Sequence, residues 1–179
     1  EAPQPTPLWP AQALFLSGVC GMALEVVWTR ILLPSFNNSA YGFACVLFVF
    51  LLGLGLGSWT AGRGRARGVN FVAGAQVGAG LLSFVGYLSF ELTQLLQIRY
   101  GAGVSGVRPE MLGPLAEATA LLLPTAFLQG MILPAALSAF PARRIGPVVG
   151  RLYFWNTFGG IVGALTAGFW WIPAYGVQT

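Results

Sequence analysis

VLFVFLLGLGLGSW, residues 46–59, contains no charged side chain and no alternation of apolar with polar residues. A run of this kind suits a helix whose whole circumference meets lipid or other helices, whereas a membrane barrel strand alternates in and out. Its glycines tempt a reading as a phosphate-binding loop. GLGLGS (53–58) lacks the G-x-G-x-x-G spacing, follows no strand and lies inside the apolar run, so that reading fails. Gly53 and Gly57 are instead four residues apart, the spacing that brings two small residues onto one helix face and lets a second backbone come close.

Outward from this stretch the pattern repeats. Hydrocarbon about 30 Å thick needs roughly 20 apolar residues at 1.5 Å each. Five segments reach that length, at about 8–33, 39–61, 69–97, 112–140 and 148–172. The chain therefore reads as one all-α transmembrane domain over residues 1–179, a polytopic membrane helical bundle of five transmembrane helices. Gly74 and Gly78 repeat the four-residue spacing in the third segment, and Gly159, Gly163 and Ala167 repeat it in the fifth, so all are expected in helix packing.

The composition agrees. Of 179 residues 56% are hydrophobic and 8% charged, against about 25% charged in an ordinary soluble domain. Mean hydropathy is +0.73. His, Asp and Lys are absent, which removes the Ser-His-Asp triad, histidine-ligated haem and ordinary zinc sites. No enzyme, metal or cofactor is expected on these grounds. Cys20 and Cys45 stand apart without a CxxC spacing and read as small buried hydrophobes.

Net charge is +4, yet the arginines lie at span ends rather than in a nucleic-acid patch. GRGRARG (62–68) and PARRIGPVVGR (141–151) hold three each, while PSFNN (34–38) and IRYGAGVSGVRPE (98–110) together hold two. The positive-inside rule puts the richer loops in the cytoplasm, with the N-terminus inside and the C-terminus outside. The expected location is a bacterial inner (cytoplasmic) membrane, with the lipid bilayer as the chief surroundings and no nucleic acid as partner.

Charges within the spans are the candidates for chemistry. ALEVVWTR (23–30) sets Glu25 on the order of 7 Å beyond the centre of its span and Arg30 near 15 Å. Arg30 can extend to the interface, whereas Glu25 needs a partner, water or a proton. Five residues is about 140° of helix, so the two are poorly placed to pair with each other. Under the orientation above, Glu91 and Glu117 fall in the same half of the membrane as Glu25, with Trp28 and Tyr87 at similar depths. Three carboxylates with aromatic neighbours suit an organic cation. The simpler reading pairs the acids with Arg30, Arg99 and Arg108 as interhelical ion pairs, and a third keeps them protonated. Gln76, Gln129 and Asn156 lie at other depths and read as interhelical hydrogen bonds.

FLSGVCGMALEVVWTRILLP (15–34), SAYGFACVLFVFLLGLGLGSWTAGR (39–63) and GRLYFWNTFGGIVGALTAGFWWIPAYG (150–176) resemble the membrane region of the spermidine-synthase-like membrane proteins. These fuse a bundle of spans to a cytosolic aminopropyltransferase-like domain. The resemblance covers nearly the whole chain and implies that Glu25, Trp28, Arg30, Arg151, Tyr153, Asn156 and Thr157 are family motif positions. The family's catalytic domain, with its Rossmann-like sheet and acidic residues, has no counterpart here, so synthase activity does not carry over. The membrane part also looks similar to half of a major facilitator transporter, and GSWTAGRGRARG to that superfamily's loop between its second and third spans. Five spans are one short of such a half, and alternating access generally uses two halves.

Three functions compete on this basis. The favoured one is a non-catalytic membrane subunit or domain that packs against partner membrane proteins. The second is transport or sensing of a cationic amine, such as a polyamine, through Glu25, Glu91 and Glu117. The third is the membrane half of a split spermidine-synthase-like system.

Overall fold

The computed structural model describes residues 8–64, 68–100, 112–138, 140 and 145–175. The arginine-rich stretch 65–67, the segment 101–111 with Arg108, and Arg143 and Arg144 lie outside the described residues, so the charge asymmetry behind the expected orientation falls largely outside them too. Nearly all of the described residues are helical and none is in a strand, and five helices are long and apolar enough to cross a membrane. They are α1 (Trp9–Leu32), α2 (Ala40–Arg63), α3 (Gly68–Tyr100), α4 (Leu112–Leu137) and α5 (Ile145–Thr166). The last continues through a π-helical turn, Ala167–Trp171, into a final turn, Ile172–Tyr175.

Local chemistry sets the boundaries. Pro10 stands in the first turn of α1, where a missing N–H costs nothing. At its far end a 3₁₀ turn, Leu33–Phe36, leads to Asn37 and Asn38, both left-handed at φ 54° and 52°. Asparagine is among the few non-glycine residues that adopt this conformation readily. Ser39 then caps α2, its hydroxyl accepting from the Gly42 N–H at 3.0 Å. Phe36 folds back over that first turn, and a Cβ at Gly42 would overlap it.

α4 is the centre of the bundle, packing along its length against α2 and α3 and more lightly against α1. α5 lies on the other side, against α1. Phe15 and Val19 of α1 face Gly159 and Gly163 of α5 in order, so this pair runs parallel. Gly53 and Gly57 of α2 face Ala126 and Phe127 of α4 in the same sense. α3 and α4 run antiparallel, since Gly78 meets Leu128 while Gly86 meets Leu121. The described ends of the chain, at α1 and after α5, therefore lie at opposite ends of the bundle.

Two apolar clusters fill the interior. One joins Leu14, Ala61, Val72, Ile132, Ala136 and Leu152 near one end. The other joins Trp28, Leu32, Phe36, Val46, Val49 and Leu122 towards the opposite end. Between them the helices leave a polar gap.

Candidate functional site

Two glycine seams build the walls of that gap. Between α1 and α5, a Cβ at Gly159 would overlap the Phe15 carbonyl, one at Gly163 the Val19 carbonyl, and one at Gly18 the Asn156 carbonyl. Between α2 and α4, a Cβ at Gly57 would overlap the Phe127 carbonyl and one at Gly130 the Leu54 carbonyl, while one at Gly53 would stand 2.6 Å from the Ala126 Cβ. Backbone meets backbone along both seams, which only residues without a side chain allow. The third glycine pair is different. A Cβ at Gly78 would come 3.0 Å from the Leu128 side chain, but one at Gly74 would meet nothing within 4 Å. Gly74 thus packs against no helix among the described residues, because α3 turns it outward, away from α4.

The two seams enclose a partly open cavity of about 480 Å³ between α1, α2, α4 and α5. Ser17, Gly21 and Met22 line it from α1, Phe50, Leu54 and Ser58 from α2, Gln129 and Leu133 from α4, and Asn156, Thr157 and Ile161 from α5. The polar groups have specific causes. α4 contains Pro134, which has no N–H to give the carbonyl four residues earlier, that of Gly130. Ser58 of α2 donates its hydroxyl to that carbonyl at 2.8 Å. One helical position before, Gln129 is 7% exposed, and its Oε1 accepts from the Ser17 hydroxyl at 3.1 Å. Gln129 Nε2 is buried without a hydrogen-bond partner among the described residues. None of the residues lining the cavity is charged.

The three carboxylates lie elsewhere. Glu25, half-buried on α1, is one turn beyond Gly21 and past the lining of the cavity. Arg30 is exposed near the end of α1. Glu91 is exposed on α3, one turn beyond Tyr87 on the same helix. Glu117 on α4 is half-buried and engaged in an interaction of its own. Trp28 is 2% exposed, donates its indole N–H to Ser83 of α3 at 2.8 Å and packs over Gly86. This contact gives the relative heights. With Trp28 level with residues 83–86 of α3, Glu25 is displaced from Glu91 by roughly 12 Å or more along the bundle. Glu117, on antiparallel α4, is level with Glu91 by the Gly78–Leu128 and Gly86–Leu121 contacts, so Glu25 is the acid that stands apart from the expected group. Neither these acids nor Tyr87 line a described cavity.

Of the motif positions, Asn156 and Thr157 line the cavity, whereas Arg151 and Tyr153 are exposed on α5. Arg151 borders a second cavity of about 580 Å³ with Gln12, Phe15 and Trp155, on the surface between α1 and α5. Ser17, Ser58, Gly21 and Met22 are cavity residues that the sequence reading did not single out. Their only sequence signal is a small or polar residue at each inward turn of an apolar span, as in S-G-x-x-G-M at 17–22. Comparison with protein-family models, curated proteins and solved structures found no match for the chain.

Proposed function

We propose that this chain is a non-catalytic membrane subunit or domain, and that it works by packing another membrane helix against α3. One outward face of α3 carries this reading. Ala73, Val77, Gly80, Phe84, Tyr87 and Glu91 recur at intervals of three and four, within about 40° of one line along the helix. All six are exposed, and a Cβ at Gly80 would meet nothing within 4 Å. Glycine inside a helix costs about 1 kcal/mol relative to alanine. Gly80 returns none of that cost among the described residues, and a close helix from a second protein would return it. Tyr87 and Glu91, one turn apart at the end of the same face, supply polar contacts for such a helix. The resemblance to the membrane region of spermidine-synthase-like proteins supports the same reading, since that region is the one without the catalytic machinery.

The test is gentle detergent extraction from the native membrane, size separation and mass spectrometry of what travels with the chain. A stoichiometric membrane partner is expected, lost in Gly80→Leu while the chain itself stays folded. A chain that runs alone, or a partner indifferent to Gly80→Leu, would count against the proposal.

A second reading, recognition of a cationic amine, draws on Glu25, a half-buried carboxylate within an apolar span. Spermidine binding to the purified chain that Glu25→Gln abolishes would favour it. Its weakness is that the neighbouring acids stand at other heights.

A further inference from the structure

We infer that the cavity between the two glycine seams is a binding site for an uncharged, lipid-soluble molecule bearing a carbonyl-type hydrogen-bond acceptor. Three observations carry this.

The first is the unfilled donor. Gln129 is 7% exposed within its span, with its Oε1 bonded to Ser17 and its Nε2 without a partner among the described residues. An amide N–H₂ left unsatisfied away from water costs about 1–3 kcal/mol, so native structures rarely leave one. The terminal amide torsion is broad, and turning it presents the N–H₂ to an acceptor within the cavity it lines while releasing the Ser17 hydroxyl to the same ligand. Asn156 and Thr157 on the opposite wall add further donors.

The second is the absence of charge. The cavity is lined by glycine, serine, asparagine, glutamine, threonine and apolar side chains. Nothing in it neutralises a phosphate or an ammonium group, and desolvating either without a counter-charge is prohibitive. The lining thus selects against a polyamine as well as against a free anion.

The third is size and access. About 480 Å³ is within the range of small-molecule sites, roughly 300–1,000 Å³. The wall is shaped by backbone rather than by flexible side chains, since Gly18 and Gly160 of facing helices and Gly130 against Leu54 set it. Such a wall stays open when empty. Leu54, Met22, Leu133 and Ile161 supply the apolar contact. A quinone head group and the ester region of a neutral glycerolipid share this chemistry.

Gly21 provides the test. A Cβ there would stand 3.9 Å from the Gln129 amide and touch nothing closer, so Gly21→Leu fills the cavity without striking backbone. The chain is purified in detergent and titrated with a short-chain benzoquinone and, separately, with a neutral diacylglycerol, and bound ligand is counted by native mass spectrometry. One of the two is expected to bind at one per chain to the wild type and to Gly21→Ala. Gly21→Leu is expected to lose that binding, and Gln129→Leu to weaken it at least tenfold. Circular dichroism and thermal melting check that both variants fold. A quinone-only result assigns the head-group source and a diacylglycerol-only result the lipid source. Binding unchanged in Gly21→Leu, or binding of neither probe, would overturn the inference. Because the readout is ligand on the isolated chain, it is independent of any partner on α3.

Discussion

Ser58 on α2 donates its hydroxyl at 2.8 Å to the Gly130 carbonyl on α4, the acceptor that Pro134 deprives of its helical donor. A proline four residues along one helix has thereby created the polar contact that ties a second helix to it. The glycine at 130 completes the device, because without a side chain the Leu54 backbone of α2 can lie directly against it.

This coupling is measurable. Ser58→Ala should lower stability in detergent by about 0.6 kcal/mol, and by no more than about 1.7, the span seen for interhelical hydrogen bonds. In a Pro134→Ala background residue 134 supplies its own N–H, and Ser58→Ala should then cost less. A double-mutant cycle of unfolding free energies tests this, and equal costs in both backgrounds would refute the link.

The glycines divide into two classes with opposite responses. Gly159→Ala and Gly57→Ala drive a methyl into the Phe15 and Phe127 carbonyls and should destabilise by about 1–3 kcal/mol. Gly74→Ala meets open space and should be neutral or stabilising by up to about 1 kcal/mol through helix propensity. Thermal melting of the three variants side by side decides it, and a destabilised Gly74→Ala monomer would contradict the outward placement.

Trp28 tests the second apolar cluster. Trp28→Phe keeps most of the ring but loses the bond to Ser83, for a loss of about 0.6 kcal/mol. Trp28→Ala empties a site of 2% exposure and should cost about 3–5 kcal/mol. Similar losses in both would mean that the indole N–H, not the packing, holds α1 to α3.

Tyr87→Phe and Glu91→Gln should leave the isolated chain's melting unchanged within about 0.5 kcal/mol, since both side chains are exposed on α3. Their effect is expected in co-purification of the partner instead. A large loss of stability in the isolated chain would show that the pair supports the bundle itself.

The five helices were legible because each span declares itself by length and by lack of charge, and lipid leaves few alternatives to a helix. The ends agree with the reading to within a few residues, with Pro34 and the two asparagines marking the first turn. The seam glycines at 53, 57, 159 and 163 were legible by spacing as well. Gly74 and Gly78 have that same spacing, and Gly74 faces away from α4. Spacing shows that two small residues share a face of a helix, not what that face meets.

The acids show a related limit of spacing alone. Counting residues from a span's middle placed Glu25, Glu91 and Glu117 in one half of the membrane, but α3 is a long helix, Gly68–Tyr100, and its register against Trp28 carries Glu91 well past Glu25. Depth within a span is not height within a bundle unless the contacts between helices are known.

What the sequence alone determined is the element list and the solvent: a chain with 8% charge and five long apolar runs must satisfy its backbone within helices in lipid. The tertiary structure alone decided the cavity. Ser17, Ser58, Gln129 and Asn156 come from four different helices and are up to 139 positions apart in the chain. Each reads locally as one polar residue in an apolar span. They become a site only because backbone contact at the two glycine seams sets which face of each helix turns inward.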